Sequence, residues 1–369
     1  MSMQVSYKKQ FILAVMLLII LLVVLETTIK IYDSQKPPCT YINSEVFQNL
    51  APDLQKRICY DELSIKTEPG YLHPVMKPNQ HTETFNVNKY GFRGSEITLQ
   101  KPDNTFRIFV IGGSTILGGA STSDETTISG NLQKKFDNYG LDVQVINAGR
   151  NAAFSITEVK YIKDKLIEFE PDLFIVYDGW NDITFFDYQS YTGIKKTYTT
   201  NEQISHELKR FFSSYRTAEI FSRFLQHGDI KAPDAVVYPI SNEHISEKVK
   251  IWKNEWSDIC KLGHDLGFDT IITIQPVLGT GTKILTPYEE KYFVRNDNAR
   301  VVNVLQLYVD ELEELKNDCM TTVDLRGVFD DMSKPIYIDA IHVSDEGNTI
   351  VADRLFEKIL PIILKDISK

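Results

Sequence analysis

A chain of 369 residues, 43% hydrophobic and 24% charged, can bury a full core, and its length allows one to three domains. The formal net charge of −10, with no long basic run, argues against a nucleic-acid partner. With four Cys but no CxxC pair and no HExxH, the chain offers no dedicated zinc site.

The elements begin with Phe11–Leu25, FILAVMLLIILLVVL, uniformly apolar and preceded by Lys8 and Lys9. Fifteen helical residues cover only about 22 Å of a hydrocarbon core about 30 Å thick, so Thr27, Thr28 and Ile29 are expected to extend the span to 11–29. No small-x-small cleavage site follows, which favours an uncleaved signal anchor over a removed leader. The lysines ahead of the span place residues 1–10 in the cytoplasm and the bulk of the chain outside it, although Lys30 and Lys36 lie beyond the span. Such a compartment permits disulfides, but sequence leaves all three pairings of Cys39, Cys59, Cys260 and Cys319 open, along with buried free thiols. Residues 30–103 are polar and irregular, with scattered prolines and aromatics, and read as a stalk packing onto a domain.

From about residue 104 short apolar runs alternate with amphipathic stretches. The runs FRIFVI (106–111), DVQVIN (142–147), LFIVYD (173–178), TIITIQ (270–275) and TTVDL (321–325) have the near-continuous hydrophobicity of strands buried on both faces. Between and after them, Thr126–Tyr139, Ser155–Phe169, Glu243–Leu266, Arg295–Asn317 and Glu346–Lys365 read as helices, the last capped by Ser344. The alternation predicts a parallel α/β sheet with helices on both faces. Residues 183–240 exceed what one crossover needs; they are rich in Phe and Tyr, hold a helical stretch around Ile204–Leu225, and read as an insertion that shapes a substrate pocket or only packs.

Ligands of open parallel sheets bind beyond the carboxyl ends of the strands. Those ends supply Gly112-Gly113-Ser114, Asn147-Ala148-Gly149, Gly179-Trp180-Asn181-Asp182 and, before the last helix, Asp339-Ala340-Ile341-His342. A hydroxyl, a bare backbone amide, a carboxamide and an Asp/His pair are the parts of a hydrolytic site. Ser114 needs a base, which His342 can be near neutral pH, and Asp339 can fix one imidazole tautomer. The Ser114 N–H, the Gly149 N–H and the Asn181 amide are the expected oxyanion donors. Arg150, Asn151, Trp180 and Gln275 are candidate substrate contacts; Arg150 and Asn151 are also readable as only shaping the loop, and Gln275 as a solvated turn residue. Competing motifs fail: Gly119 stands where a P-loop needs Lys, and Ile116 where the GxSxG elbow needs Gly.

The blocks GGSTILGG, NAGRN, GWND and DAIH, in this order, resemble those of the SGNH (GDSL-like) hydrolase family over about residues 104–365, with Gly113 in place of the family's Asp. The segment NKYGFRG (88–94) resembles one that precedes the domain in membrane-anchored relatives. The resemblance implies a flavodoxin-like three-layer α/β/α sandwich of strand order 2-1-3-4-5 over 104–369. It implies Ser114 as nucleophile with His342 and Asp339 completing the triad, Gly149 and Asn181 in the oxyanion hole, and no metal or organic cofactor. The expected activity is that of a membrane-anchored esterase removing O-acyl groups, acetyl above all, from a glycan or surface lipid. The alternatives are an O-acetyltransferase using the same triad and a non-catalytic binding or scaffold module.

Overall fold

The computed structural model describes residues 6–35, 39–68, 74–184, 244–295 and 298–367, with 215, 217, 218 and 220. The chain divides into two compact units, Met1–Thr40 with Gln189–Val236, and Tyr41–Tyr188 with Val237–Lys369. Apart from its first two residues and those four positions, the insertion expected at 183–240 lies outside the described residues.

In the first unit, helix α1 spans Tyr7–Ser34, 28 residues or about 42 Å at the helical rise. Its mean hydropathy reaches 2.9 and none of that window is buried, so it is long and apolar enough to cross a membrane, as a signal sequence also is. The helix outruns the expected 11–29 at both ends, and within it the Thr27 and Thr28 hydroxyls donate back to the carbonyls of Val23 and Val24, at 2.7 and 2.8 Å. Such back-bonding satisfies the hydroxyls inside an apolar helix. Glu26 is buried and accepts from the N–H and hydroxyl of Thr217, each at 2.9 Å.

The second unit is built on five parallel strands: β1 (Phe106–Gly112), β2 (Val143–Asn147), β3 (Leu173–Asp178), β4 (Asp269–Ile274) and β5 (Thr321–Asp324). Their spatial order is β2-β1-β3-β4-β5, the order expected. The strand period of two divides each run between two cores. Phe109, Ile111, Phe174 and Val176 face one, with α5 (Ser155–Asp164), α7 (Ile245–Leu266) and α9 (Asn298–Asp310) closing over them. Ile108, Val110, Ile175 and Tyr177 face the other, beneath α4 (Ile128–Tyr139) and α10 (Asp345–Ile367). This is a three-layer α/β/α sandwich.

Helix ends follow local chemistry. The Thr127 hydroxyl accepts from Gly130 N–H at 3.0 Å to cap α4, and the Ser344 hydroxyl accepts from Gly347 N–H at 3.1 Å at the start of α10. The stretch expected as one helix over Arg295–Asn317 is broken, with α8 (Pro287–Arg295) ahead of α9 and a separate turn, Leu312–Leu315, behind it. The remaining helices used below are α2 (Pro52–Ser64), α3 (Ser114–Leu117) and α6 (Trp180–Thr184).

Cys260 in α7 and Cys319 before β5 are joined by a disulfide, and Cys39 and Cys59 are disulfide-bonded as well, leaving no free thiol. Arg107, on the otherwise apolar β1, is fully buried without strain on the account of polar groups: it donates to Gln144 Oε1 at 2.7 Å and to the carbonyls of Phe169 and Leu99 at 2.6 and 3.0 Å.

Candidate active site

Ser114 follows β1 directly and opens α3, a single turn. The first N–H groups of a helix lack intrahelical acceptors, so the Ser114 N–H has none within α3. The Ser114 Oγ lies 2.8 Å from His342 Nε2, across 228 residues of sequence. His342 Nδ1 lies 2.8 Å from Asp339 Oδ2, and Asp339 Oδ1 accepts from the N–H groups of Ile341 and His342 at 2.9 and 2.8 Å. The carboxylate is therefore anchored to its own loop while its second oxygen orients the ring. All three side chains remain partly accessible.

The electrostatics follow from these contacts. Burial opposes charge on Asp339, but the imidazole and the three hydrogen bonds outweigh it and hold the carboxyl below its usual range. Burial likewise opposes charge on His342, and the charge and hydrogen bond of Asp339, with the charge of Glu62, raise the imidazole above its usual value.

Asn181, the second residue of α6, is buried, and its Nδ2 donates to Ala153 O at 2.6 Å. The same Nδ2 would lie only 2.2 Å from a Cβ at Gly113, so the glycine before Ser114 is what lets the carboxamide reach the turn that carries Ser114. Gly149 behaves differently from expectation. Its N–H donates to Asn147 Oδ1 at 3.0 Å, and a Cβ there would fall 2.3 Å from Leu117 N, so the residue is a glycine because the loop packs on the backbone of α3. Two residues beyond Arg150, Ala152 takes a left-handed φ of 57°, unusual for a residue with a Cβ.

The other candidates separate clearly. Arg150 turns away to stack over Tyr161, 4.4 Å from the ring centroid, and shapes the loop. Asn151 is exposed in the turn. Trp180, the first residue of α6, is buried in the apolar core. Gln275 is buried, its Nε2 without a hydrogen-bond partner among the described residues.

Residues that the sequence reading did not single out support this geometry. Asp182, beside Asn181, accepts from the Ser155 N–H at 3.2 Å and from the Ser155 hydroxyl at 2.5 Å, tying α6 to the start of α5. Asp178, at the end of β3, accepts the indole N–H groups of Trp252 and Trp256, each at 2.9 Å. Burial pushes Asp178 up to about 6, and burial together with the Asp178 charge pushes Glu158 and Asp182 well above the usual carboxyl range. Arg93, in the segment NKYGFRG, donates to Asp124 Oδ1 at 2.7 Å, to Thr84 O at 2.9 Å and to Leu117 O at 2.8 Å, with Gly118 O a further acceptor. It thereby holds the carboxyl end of α3. The signal for it was the quoted segment itself, whose Asn88 accepts from the N–H groups of Tyr90 and Phe92 at 2.9 and 3.1 Å.

No protein-family model matches the chain, and no curated protein does. Solved structures are similar in outline. An acetyl xylan esterase is 12% identical with a TM-score of 0.40, the match covering 69% of this chain and 100% of that one. A psychrotrophic esterase from Pseudoalteromonas sp. is 13% identical with a TM-score of 0.39, over 71% and 99%. A lipase/acylhydrolase from Enterococcus faecalis is 12% identical with a TM-score of 0.41, over 69% and 95%. Likenesses this distant do not carry an activity from one protein to another.

Proposed function

We propose that this chain is a membrane-anchored serine esterase that removes O-acyl groups, acetyl above all, from a glycan or surface lipid outside the cytoplasm. The observation that carries the reading is the unbroken relay from Ser114 Oγ through His342 to Asp339, with 2.8 Å at each step. In the first half-reaction the Ser114 proton passes to His342 Nε2 as Oγ bonds to the ester carbonyl carbon and the carbonyl π pair moves onto oxygen. The tetrahedral intermediate collapses, His342 returns the proton to the leaving alkoxide, and acyl-Ser114 remains. Water repeats the sequence and releases the carboxylic acid. Asp339 stays ionised throughout, as its lowered pKa favours.

The Ser114 N–H and the second hydrogen of the Asn181 amide are the oxyanion donors we assign, with a third from the turn that carries Gly149. For Gly149 itself to serve, its N–H must leave or share Asn147; the Ala152 N–H in the same turn has no acceptor among the described residues. The exposed apolar helix α1, the lysines ahead of it and the oxidised cysteines support an anchored unit in an oxidising compartment.

The test uses the full chain in detergent beside its Ser114→Ala variant, with a fluorophosphonate probe and 4-nitrophenyl acetate. Labelling and acetate release present in the wild type and absent in the variant are the expected results. A folded wild-type chain that does neither overturns the reading. Acylated glycan without free acetate, when a sugar acceptor is present, replaces hydrolysis by transfer.

A further inference from the structure

The catalytic loops rest on the segment that precedes the sheet. Phe47 packs with Ala120, in the loop after α3, and with Ile338, the neighbour of Asp339. The Tyr288 hydroxyl donates to Ile338 O at 2.8 Å on the same side. Phe85 and Val87 pack on Leu117 at the end of α3. Residues expected to form a stalk thus contribute the floor of the site.

One side chain from this segment reaches further. Glu62, near the end of α2, is half-buried, and its Oε1 would lie 2.2 Å from a Cβ at Gly119, so the carboxylate sits directly on that glycine. Tyr41 Oη donates to Glu62 Oε2 at 2.6 Å and fixes its orientation. Gly119 and His342 line one small cavity of about 10 Å³, together with Thr115, the residue after the nucleophile. A second carboxylate, outside the Ser–His–Asp relay, therefore stands one glycine away from the imidazole's surroundings.

We propose that Glu62 is a positioning residue for the acyl step: its carboxylate, held by Tyr41, stabilises the imidazolium that His342 becomes when it takes the Ser114 proton. The inference rests on His342 being the general base. Asp339 supplies the larger part of this stabilisation and Glu62 adds to it. Asp339 faces the opposite ring nitrogen. Arg93 lies in the field of Glu62 and Asp345 but is paired with Asp124, while Asp345 accepts from Thr122. Tyr288 faces Asp339 rather than the ring. The charge of Glu62 raises His342 in the same direction as Asp339 does.

The experiment follows the imidazole directly. The full chain, labelled with ¹⁵N-histidine in detergent, is titrated by NMR, and His342→Asn identifies the signal among the seven histidines. Glu62→Gln is expected to move the His342 midpoint to lower pH, and Tyr41→Phe to move it less in the same direction. The acid limb of kcat/KM for 4-nitrophenyl acetate is expected to move with it, while plateau kcat falls roughly three- to tenfold at unchanged KM. An unmoved midpoint in Glu62→Gln overturns the proposal even if the enzyme hydrolyses esters. A moved midpoint in a chain that turns over no ester removes the esterase reading and leaves the coupling standing.

Discussion

In the proposed mechanism the Ser114 hydroxyl acts as a nucleophile only while a neutral imidazole stands at 2.8 Å, and that sets how the site would respond to pH. Because the surroundings raise His342 above the usual imidazole value near 6.5, the acid limb of kcat/KM is expected above about pH 6.5, read from rates on 4-nitrophenyl acetate. A limb below that value contradicts the electrostatic account. Asp339→Asn keeps the shape of the loop but favours the wrong tautomer, and a drop in kcat of about 10⁴-fold is expected. Asn181→Ala removes one of the oxyanion donors proposed above, and a loss of about 10²- to 10³-fold in kcat with little change in KM is expected. Much of this was legible in the sequence, because parallel strands deliver whatever follows their carboxyl ends to one edge of the sheet. The partner chosen by an individual polar group was not legible. Gly149 bonds to Asn147, and Trp180 lies in the core, because both outcomes depend on packing between α3, α6 and their neighbours rather than on spacing.

At the scale of elements, the site depends on how short turns are held. Helix α3 is one turn long and cannot stabilise itself. Arg93 supplies the restraint by gripping Leu117 O and Gly118 O from a segment more than 20 residues upstream, and its guanidinium is only 1% exposed. Removing one partner of a buried ion pair costs about 3–5 kcal/mol, so Arg93→Ala is expected to lower unfolding stability by that order, measured from urea midpoints. Arg93→Lys retains the charge but cannot span four acceptors with a planar fork. It is expected to lose more activity than stability, as kcat measured under conditions where the protein stays folded. Equal losses in both would mean that Arg93 only fills the core. The strands themselves were readable as runs of β-branched and aromatic residues. The partners of Arg93, Glu62 and Asp182 were not, although Arg93 and Asp182 stand in quoted segments, since those partners lie far away in sequence and no periodicity announces them.

The whole molecule carries its acid groups in two opposed settings, and this makes stability depend on pH in a way one variant can isolate. Asp339 has a lowered folded pKa, so its contribution is present above the unfolded carboxyl range and is lost as pH falls through the lower folded value. Glu158, Asp178 and Asp182 have raised folded values, and for them the sign reverses. The folded chain keeps protons that the unfolded chain releases above about pH 4, so their contribution is full below that point. It declines as pH rises through the folded values, Asp178 near 6 and the other two shifted the same way. Glu158→Gln mimics the protonated side chain and removes both its own proton release and its repulsion of Asp178. The midpoint of thermal unfolding in the variant, minus that of the wild type, is therefore expected to increase from pH 5 to pH 8. His342 also has a raised folded pKa, but it is present in both proteins and cancels in that difference. A difference that stays constant with pH would mean that Glu158 is ionised in the folded protein and compensated by a neighbour such as Arg150. Because Asp182 adjoins Asn181 and ties α6 to α5, charging this cluster loads the same turn that presents the carboxamide to Ser114. Glu158→Gln should then also hold kcat steadier than the wild type toward alkaline pH.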